Sequence, residues 1–391
     1  MIDKYYNGVI EQVYNHVGTT EKNIVMANYN NDFSIKNLET VKRYRAQMDS
    51  VFFASREFGY RELTGAYEPF LDTICDMFRA YGTGDFDTFL DGCGVYELHK
   101  EILRSYYESG ICKRNENVLL NEVAYEQNRM TDAMAAMLKA LAKEHPLMLV
   151  INRFQMASRS TFELVHDLIA HPDKNIGLVL GVNDSVGRKE SVADVWDRIV
   201  ESLKDRSQLY HIGSSDHRRT EIAREHVLGE GYTDNVDVDE DYEASIQKVS
   251  NIVEFLDYDQ AKRYFREVEY QIKFEDARMK NASRRAFYLL YAKTSILLGE
   301  LSKALELLTE AKNLIPAEYE FKYRAELDFL RGTCYMYQGK LDRAERYADQ
   351  SYTWGVESGD ERAVFRAELL KVMAQMSGWY NIFFCVKDIP I

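Results

Sequence analysis

Four short apolar runs mark the first half of the chain: Ile24–Met26, Val51–Ala54, Leu147–Ile151 and Ile176–Val182. Each is rich in β-branched, aromatic or branched aliphatic residues and is too short for a buried helix. Each therefore predicts a buried strand. Between them, apolar positions recur at helical spacing over Tyr67–Tyr81, Met130–Glu144 and Thr161–His171. Strands alternating with helices predict a mainly parallel sheet covered on both faces. This gives an α/β domain over residues 1–205.

From residue 245 to 391 the pattern is helical only, and it repeats. Gly299-Glu-Leu-Ser-Lys-Ala304 returns as Gly339-Lys-Leu-Asp-Arg-Ala344 and again as Gly378-Trp-Tyr-Asn-Ile-Phe383. Upstream, Leu256-Asp-Tyr-Asp-Gln-Ala261 holds the corresponding place. In each copy the Gly position allows a tight turn, and the small residue lets two helices approach closely. Helix-turn-helix units of this kind stack, because none buries its apolar face alone, so the pattern predicts an all-α solenoid. Ala286–Leu314, with Leu298-Gly299, Ala304-Leu-Glu-Leu-Leu308 and Ala311 before Pro316, carries most of the signal. It resembles tetratricopeptide-like repeats of the longer kind found in bacterial signalling regulators. Trp354–Asp360 is similar to the repeat-ending loop of that class.

Residues 206–244 read as a linker with lid helices and an acidic loop. Asp237-x-Asp239-x-Asp241 has the start of a calcium loop, but Tyr242 stands where such a loop needs Gly, and Lys248 where it needs Glu. A solvated acidic linker is the reading that remains.

Composition narrows the function classes. The chain has 391 residues, with 49 Lys and Arg against 63 Asp and Glu, a formal net charge of −14. That balance argues against whole-chain nucleic-acid binding, which needs cations for phosphate. Only 5 Pro are present, which favours long helices. The apolar runs are far too short to span a bilayer, and the first residues lack an apolar signal core. The 5 cysteines are widely spaced with no C-x-x-C, as reduced thiols in a cytoplasmic protein would be. The 8 His lack zinc spacing, and Gly82-x-Gly84 and Gly92-Cys-Gly94 are turn signals.

Three segments of the first region resemble the signal-transduction ATPases, the P-loop domain of the maltose-regulon activator type. Val51–Ser55 followed by Ala66-Tyr-Glu-Pro-Phe-Leu71 is similar to the second strand and next helix start of that class. His145–Ile151 followed by Asn152–Ser158 is similar to its Walker B strand and extension. Ile176–Val182 ends at Asn183, where the class has a polar sensor residue. The resemblance implies a phosphate loop after Ile24–Met26, with Lys36 at the phosphate lysine and Asn37 at the magnesium hydroxyl. The positions of its glycines are then Asn30 and Ile35, and its acid pair is Asn152 and Arg153. A working loop needs glycines for close phosphate approach, a hydroxyl for magnesium and acids to polarise water. Their joint loss implies a retained fold without hydrolysis. If the fold is not of this class, Lys36 is a first-turn helix lysine.

The expectation is therefore a non-catalytic regulatory or scaffold protein: a degenerate P-loop-like ATPase domain joined to protein-binding helical repeats. Lys36, Asn37, Asn152 and Asn183 form its vestigial nucleotide site. No metal and no obligate cofactor are expected, though ATP or ADP without hydrolysis fits. The rival readings are an NTPase with an atypical phosphate loop, and a fragment or relative of a signal-transduction ATPase transcription regulator. The end of the chain lies within a repeat, which points to truncation or to a completing partner. Trp379, Tyr380, Phe383 and Phe384 crowd that end and mark it for self-association.

Overall fold

The computed structural model describes residues 2–29, 33–47, 50–60, 62–112, 120–186, 192–206, 208–212, 242–274, 279–316 and 320–385, the side chains of 378–385 excepted. Two compact units divide the chain. One comprises residues 1–118, 124–237 and 248–264, the other 119–123, 238–247 and 265–391.

The first unit is built on five parallel strands: β1 (Ile24–Tyr29), β2 (Phe52–Glu57), β3 (Leu147–Asn152), β4 (Ile176–Asn183) and β5 (Leu209–Ile212). Their order is β2-β3-β4-β1-β5. The four expected strands are therefore neighbours, with Ile24 opposite Leu178, Phe52 opposite Leu147 and Leu147 opposite Ile176. The fifth strand lies in the stretch the sequence pattern gives to the linker. The acidic loop falls outside the described residues.

Alternation along β1 serves two cores. Ile24 and Met26 enter one cluster, filled by α3 (Phe70–Tyr81), α6 (Val123–Glu144), α7 (Arg159–Ala170) and α8 (Ala193–Asp205). Val25, Ala27 and Tyr29 enter the other, filled by α1 (Ile2–His16) and α2 (Glu39–Ala46). Successive strand side chains point to opposite faces, so a buried parallel strand reads as continuously apolar. Helix α1, which the sequence pattern did not predict, covers that second face with Tyr6, Val9, Ile10 and Val13.

Two shorter helices, α4 (Phe86–Gly92) and α5 (Glu97–Ser109), complete the first core. The unit also includes residues 248–264, the end of α9 (Tyr242–Glu254), the turn after it and the start of α10 (Tyr258–Phe274). Leu256 holds φ +64 at that turn. The next residue, buried Asp257, accepts from Ser160 N at 3.0 Å and Ser160 Oγ at 2.6 Å, placing a carboxylate at the start of α7. Anions are favoured at that end of a helix. Asn251 donates to the Gly110 carbonyl and accepts from Cys112 N, so α9 is tied to the chain after α5.

The second unit is helical. Pairs α11 (Asn281–Leu297) and α12 (Leu301–Asn313), then α13 (Glu320–Tyr337) and α14 (Leu341–Ser358), are joined by short turns at Gly299 (φ +75) and Gly339 (φ +72). These are the two strongest repeat copies, and Ala304 and Ala344 are fully buried just beyond them. Gly332 of α13 meets α14 closely: a Cβ there would lie 3.3 Å from the Ala344 carbonyl.

The third copy is not a turn. Helix α15 (Glu361–Cys385) runs unbroken through Gly378. The hairpin before it turns at Gly359 (φ +68), while Trp354–Ser358, expected as a loop, is the last part of α14. The glycine at 359 supplies the left-handed conformation that the turn requires. The side chains of Trp379, Tyr380, Phe383 and Phe384 lie outside the described residues. Among the described residues, no helix is long and apolar enough to cross a membrane.

Candidate functional site

Helix α2 leaves β1 toward one face of the sheet, whereas α8 leaves β4 toward the other. Adjacent strands whose helices depart in opposite directions open a crevice at their carboxyl ends, the usual ligand position in open α/β sheets. Tyr29 and Asn183 stand opposite each other at that point.

The chain's own polar groups bind together around it. Tyr29 Oη donates to Asn152 Oδ1 at 2.7 Å, and Asn152 Nδ2 donates to the Phe33 carbonyl at 3.2 Å. Asn183 Nδ2 donates to Tyr60 Oη at 2.9 Å, and Gln155 Nε2 donates to the Asn183 carbonyl at 3.0 Å. Both asparagines are buried. Gly181 makes room beside them: a Cβ there would clash with Tyr6 Oη and lie 2.7 Å from Asn152 Oδ1. The Tyr6 hydroxyl is buried with no hydrogen-bond partner among the described residues. Burial, reinforced by Tyr29 and Glu57, pushes the pKa of that phenol well above its ordinary value, so Tyr6 stays neutral.

Glu57, the last residue of β2, carries the main charge. Its Oε2 accepts from Ile35 N at 2.9 Å and Ser34 Oγ at 2.9 Å. Its Oε1 lies 3.2 Å from Arg153 Nη1. Arg153 also donates to the Phe58 carbonyl at 3.1 Å, and its guanidinium lies 4.7 Å from the Tyr60 ring centre. Arg153 holds φ 54 and ψ 44, a left-handed conformation that costs a non-glycine residue of order 1 kcal/mol. The ion pair, hydrogen bond and ring contact hold it there.

The four residues predicted for a nucleotide site thus separate into two pairs. Asn152 and Asn183 are buried at the strand ends. Lys36 and Asn37 are exposed on a 3-10 turn, Ile35–Asn37, capped by Ser34, whose Oγ accepts from Lys36 N. Ile35, at the second glycine position of the resemblance, is buried in the α1–α2 core. Glu57, Ser34, Gln155 and Tyr60 were not singled out by sequence; none belongs to a spaced motif, and only the strand register brings them together. Among the described residues, no group of three or more His, Cys, Asp or Glu is placed to hold a metal ion.

Comparisons with protein-family models, with curated proteins and with solved structures found no significant match.

Proposed function

We propose that this chain is a non-catalytic regulatory or scaffold protein, in which a degenerate P-loop-like ATPase domain is joined to helical repeats that bind a protein or peptide. The observation that carries this reading is the Glu57 carboxylate. In a working phosphate loop, backbone N–H groups and a hydroxyl remain for phosphate and its metal. Here the Ile35 N–H and the Ser34 hydroxyl face a carboxylate of the chain itself. A phosphate brought to those donors meets like charge. Arg153 stands at the acid position of the resemblance and pairs with the same carboxylate. Binding of ATP or ADP without turnover is compatible with this reading.

For the helical unit, the support is its two similar hairpins at Gly299 and Gly339, since helical hairpins that stack into a solenoid offer an extended binding surface. The reading places the protein in the cytoplasm, away from membranes and nucleic acid, with the Trp379–Phe384 end available for association. The test is magnesium-dependent ATP hydrolysis by the wild type and by Lys36→Ala. Both are expected to show no turnover above buffer. Wild-type turnover that disappears in Lys36→Ala overturns the reading in favour of an NTPase with an atypical loop.

A further inference from the structure

We propose that the turn Phe255–Asp257 is a latch whose seating on the first unit is coupled to the Glu57 clasp at the strand ends, so that release of either loosens the other. Two connections leave the neighbouring strands β2 and β3, one running from Glu57 to Tyr67 and the other from Arg153 to Ser160. They are clasped at both ends. At the strand ends Glu57 Oε1 lies 3.2 Å from Arg153 Nη1. At the far ends Tyr67 N donates to Ser160 Oγ at 2.9 Å. Tyr67 and Arg153, one in each connection, both hold φ 54. Non-glycine residues stay in that region only where their surroundings enforce it.

The latch sits on the far clasp. Ser160 Oγ, which accepts from Tyr67, donates to Asp257 Oδ2 at 2.6 Å, and Ser160 N donates to the same oxygen. Phe255 meets Tyr67 and Tyr106 edge to face, with ring centres 6.0 and 6.1 Å away. Gln127 Nε2 donates to the Leu256 carbonyl at 2.6 Å. Seating also has costs. Leu256 is left-handed, and Asp257, only 3% exposed, keeps Oδ1 without a hydrogen-bond partner. A buried carboxylate oxygen that meets no donor opposes its own burial. Attraction and cost thus compete within one short turn, as in segments that open locally while the rest of a fold stays closed.

Between the clasps the second connection is braced along its length. The Arg153 and Phe154 carbonyls accept from Met156 N and Ala157 N, each at 2.9 Å. Thr64 Oγ1, from the first connection, donates to the Met156 carbonyl at 3.2 Å. Ser158 Oγ meets Ser160 Oγ and Thr161 Oγ1, each at 3.0 Å. A segment so braced moves as one piece. Unseating Asp257 frees Ser160, the Arg153 backbone relaxes from its left-handed conformation, and its guanidinium is drawn from Glu57. Glu57 also holds Ile35 N and Ser34 Oγ, so the loop after β1 loosens with it. In the other direction, a ligand that displaces Glu57 at the strand ends unseats the turn from which α10 starts.

The test is hydrogen exchange of the full chain, read peptide by peptide by mass spectrometry, with β4 reporting global opening. Asp257→Ala is expected to speed exchange over residues 33–38, with which Asp257 shares no hydrogen bond, by ~10-fold beyond any change in β4. Glu57→Ala is expected to speed exchange over residues 251–257 by a similar factor, because coupling is reciprocal. The double variant is expected to shift the urea midpoint by less than the sum of the two single shifts, since either change alone loosens the shared connection. Exchange over residues 33–38 that follows β4 in Asp257→Ala, or additive midpoint shifts, overturns the proposal. Should Asp257→Ala fail to fold, Gln127→Ala removes the Leu256 anchor alone and reads the same segments, with the same two outcomes. None of these measurements involves nucleotide, so this coupling and the absence of ATP turnover fail separately.

Discussion

The Glu57 carboxylate accepts the Ile35 backbone N–H at 2.9 Å, tying the end of β2 to the loop that leaves β1. The β1 and β2 strands are separated in the sheet by β3 and β4, so this bond joins segments that belong to non-adjacent strands. Both Glu57 and its other partner, Arg153, are largely buried. Glu57→Ala removes the carboxylate from a buried N–H, a hydroxyl and a guanidinium together. Stripping one partner from a buried charge pair costs about 3–5 kcal/mol when fully enclosed. With Arg153 partly solvated, about 2–4 kcal/mol is expected, read as a shift in the urea unfolding midpoint at constant slope.

Gly181→Ala places a methyl against Tyr6 Oη and Asn152 Oδ1. Relief requires Asn152 to move from its bond with Tyr29. Overpacking of this kind costs about 1–3 kcal/mol. Thermal unfolding is expected at lower temperature, with a changed near-ultraviolet tyrosine signal. An unchanged signal at full stability means the strand ends are looser than described.

Ala304→Leu tests the first of the helical crossings. Ala304 is fully buried just past the Gly299 turn, and Leu adds three carbons where two helices meet. A loss of about 1–3 kcal/mol is expected in calorimetry. Unchanged stability would mean that α11 and α12 separate at little cost.

Glu269 supplies a pH-dependent term. Burial raises its pKa, but hydrogen bonds from Lys273 and Lys303, both at 2.7 Å, outweigh burial and hold it below the ordinary Glu value. A depressed carboxylate stabilises the fold above its unfolded pKa, and the contribution is lost as pH falls through the folded pKa. Glu269→Gln is therefore expected to be less stable than wild type at pH ~7, by under ~1 kcal/mol because the lysines are partly solvated. The difference should shrink below the ordinary Glu pKa. A difference independent of pH assigns the effect to packing.

Strands β1, β3 and β4 were legible because burial on both faces makes them short and mostly apolar, and β2 was legible only in its apolar start, Phe52–Ala54. Leu209-Tyr-His-Ile212 was not, because a four-residue edge strand carrying His and Tyr has neither a run nor an alternation to read. The hairpins at Gly299 and Gly339 were legible because each turn needs φ > 0. Gly378 had the same local sequence cue and lies inside a helix, since the αL turn is already supplied at Gly359. At the strand ends, Asn152 and Asn183 could be placed by counting from the strands. Glu57 could not: β2 read as ending at Ala54, and its carboxylate meets Ile35 only through the register that sets Glu57 opposite Asn152.

The strand order also sets a sequence of events for folding. Only β3 and β4 are close along the chain as well as in space, about 30 residues separating Leu147 from Ile176, whereas the β1–β4 pairing closes a loop of about 150 residues. Loop-closure entropy delays such distant pairings until other contacts compensate. The β3–α7–β4 segment is thus the natural nucleus, and β1, with the loop that meets Glu57, joins late. The local hairpins of the second unit do not wait for it. Refolding followed by tyrosine fluorescence is expected to show a fast helical phase and a slower one that Gly181→Ala retards.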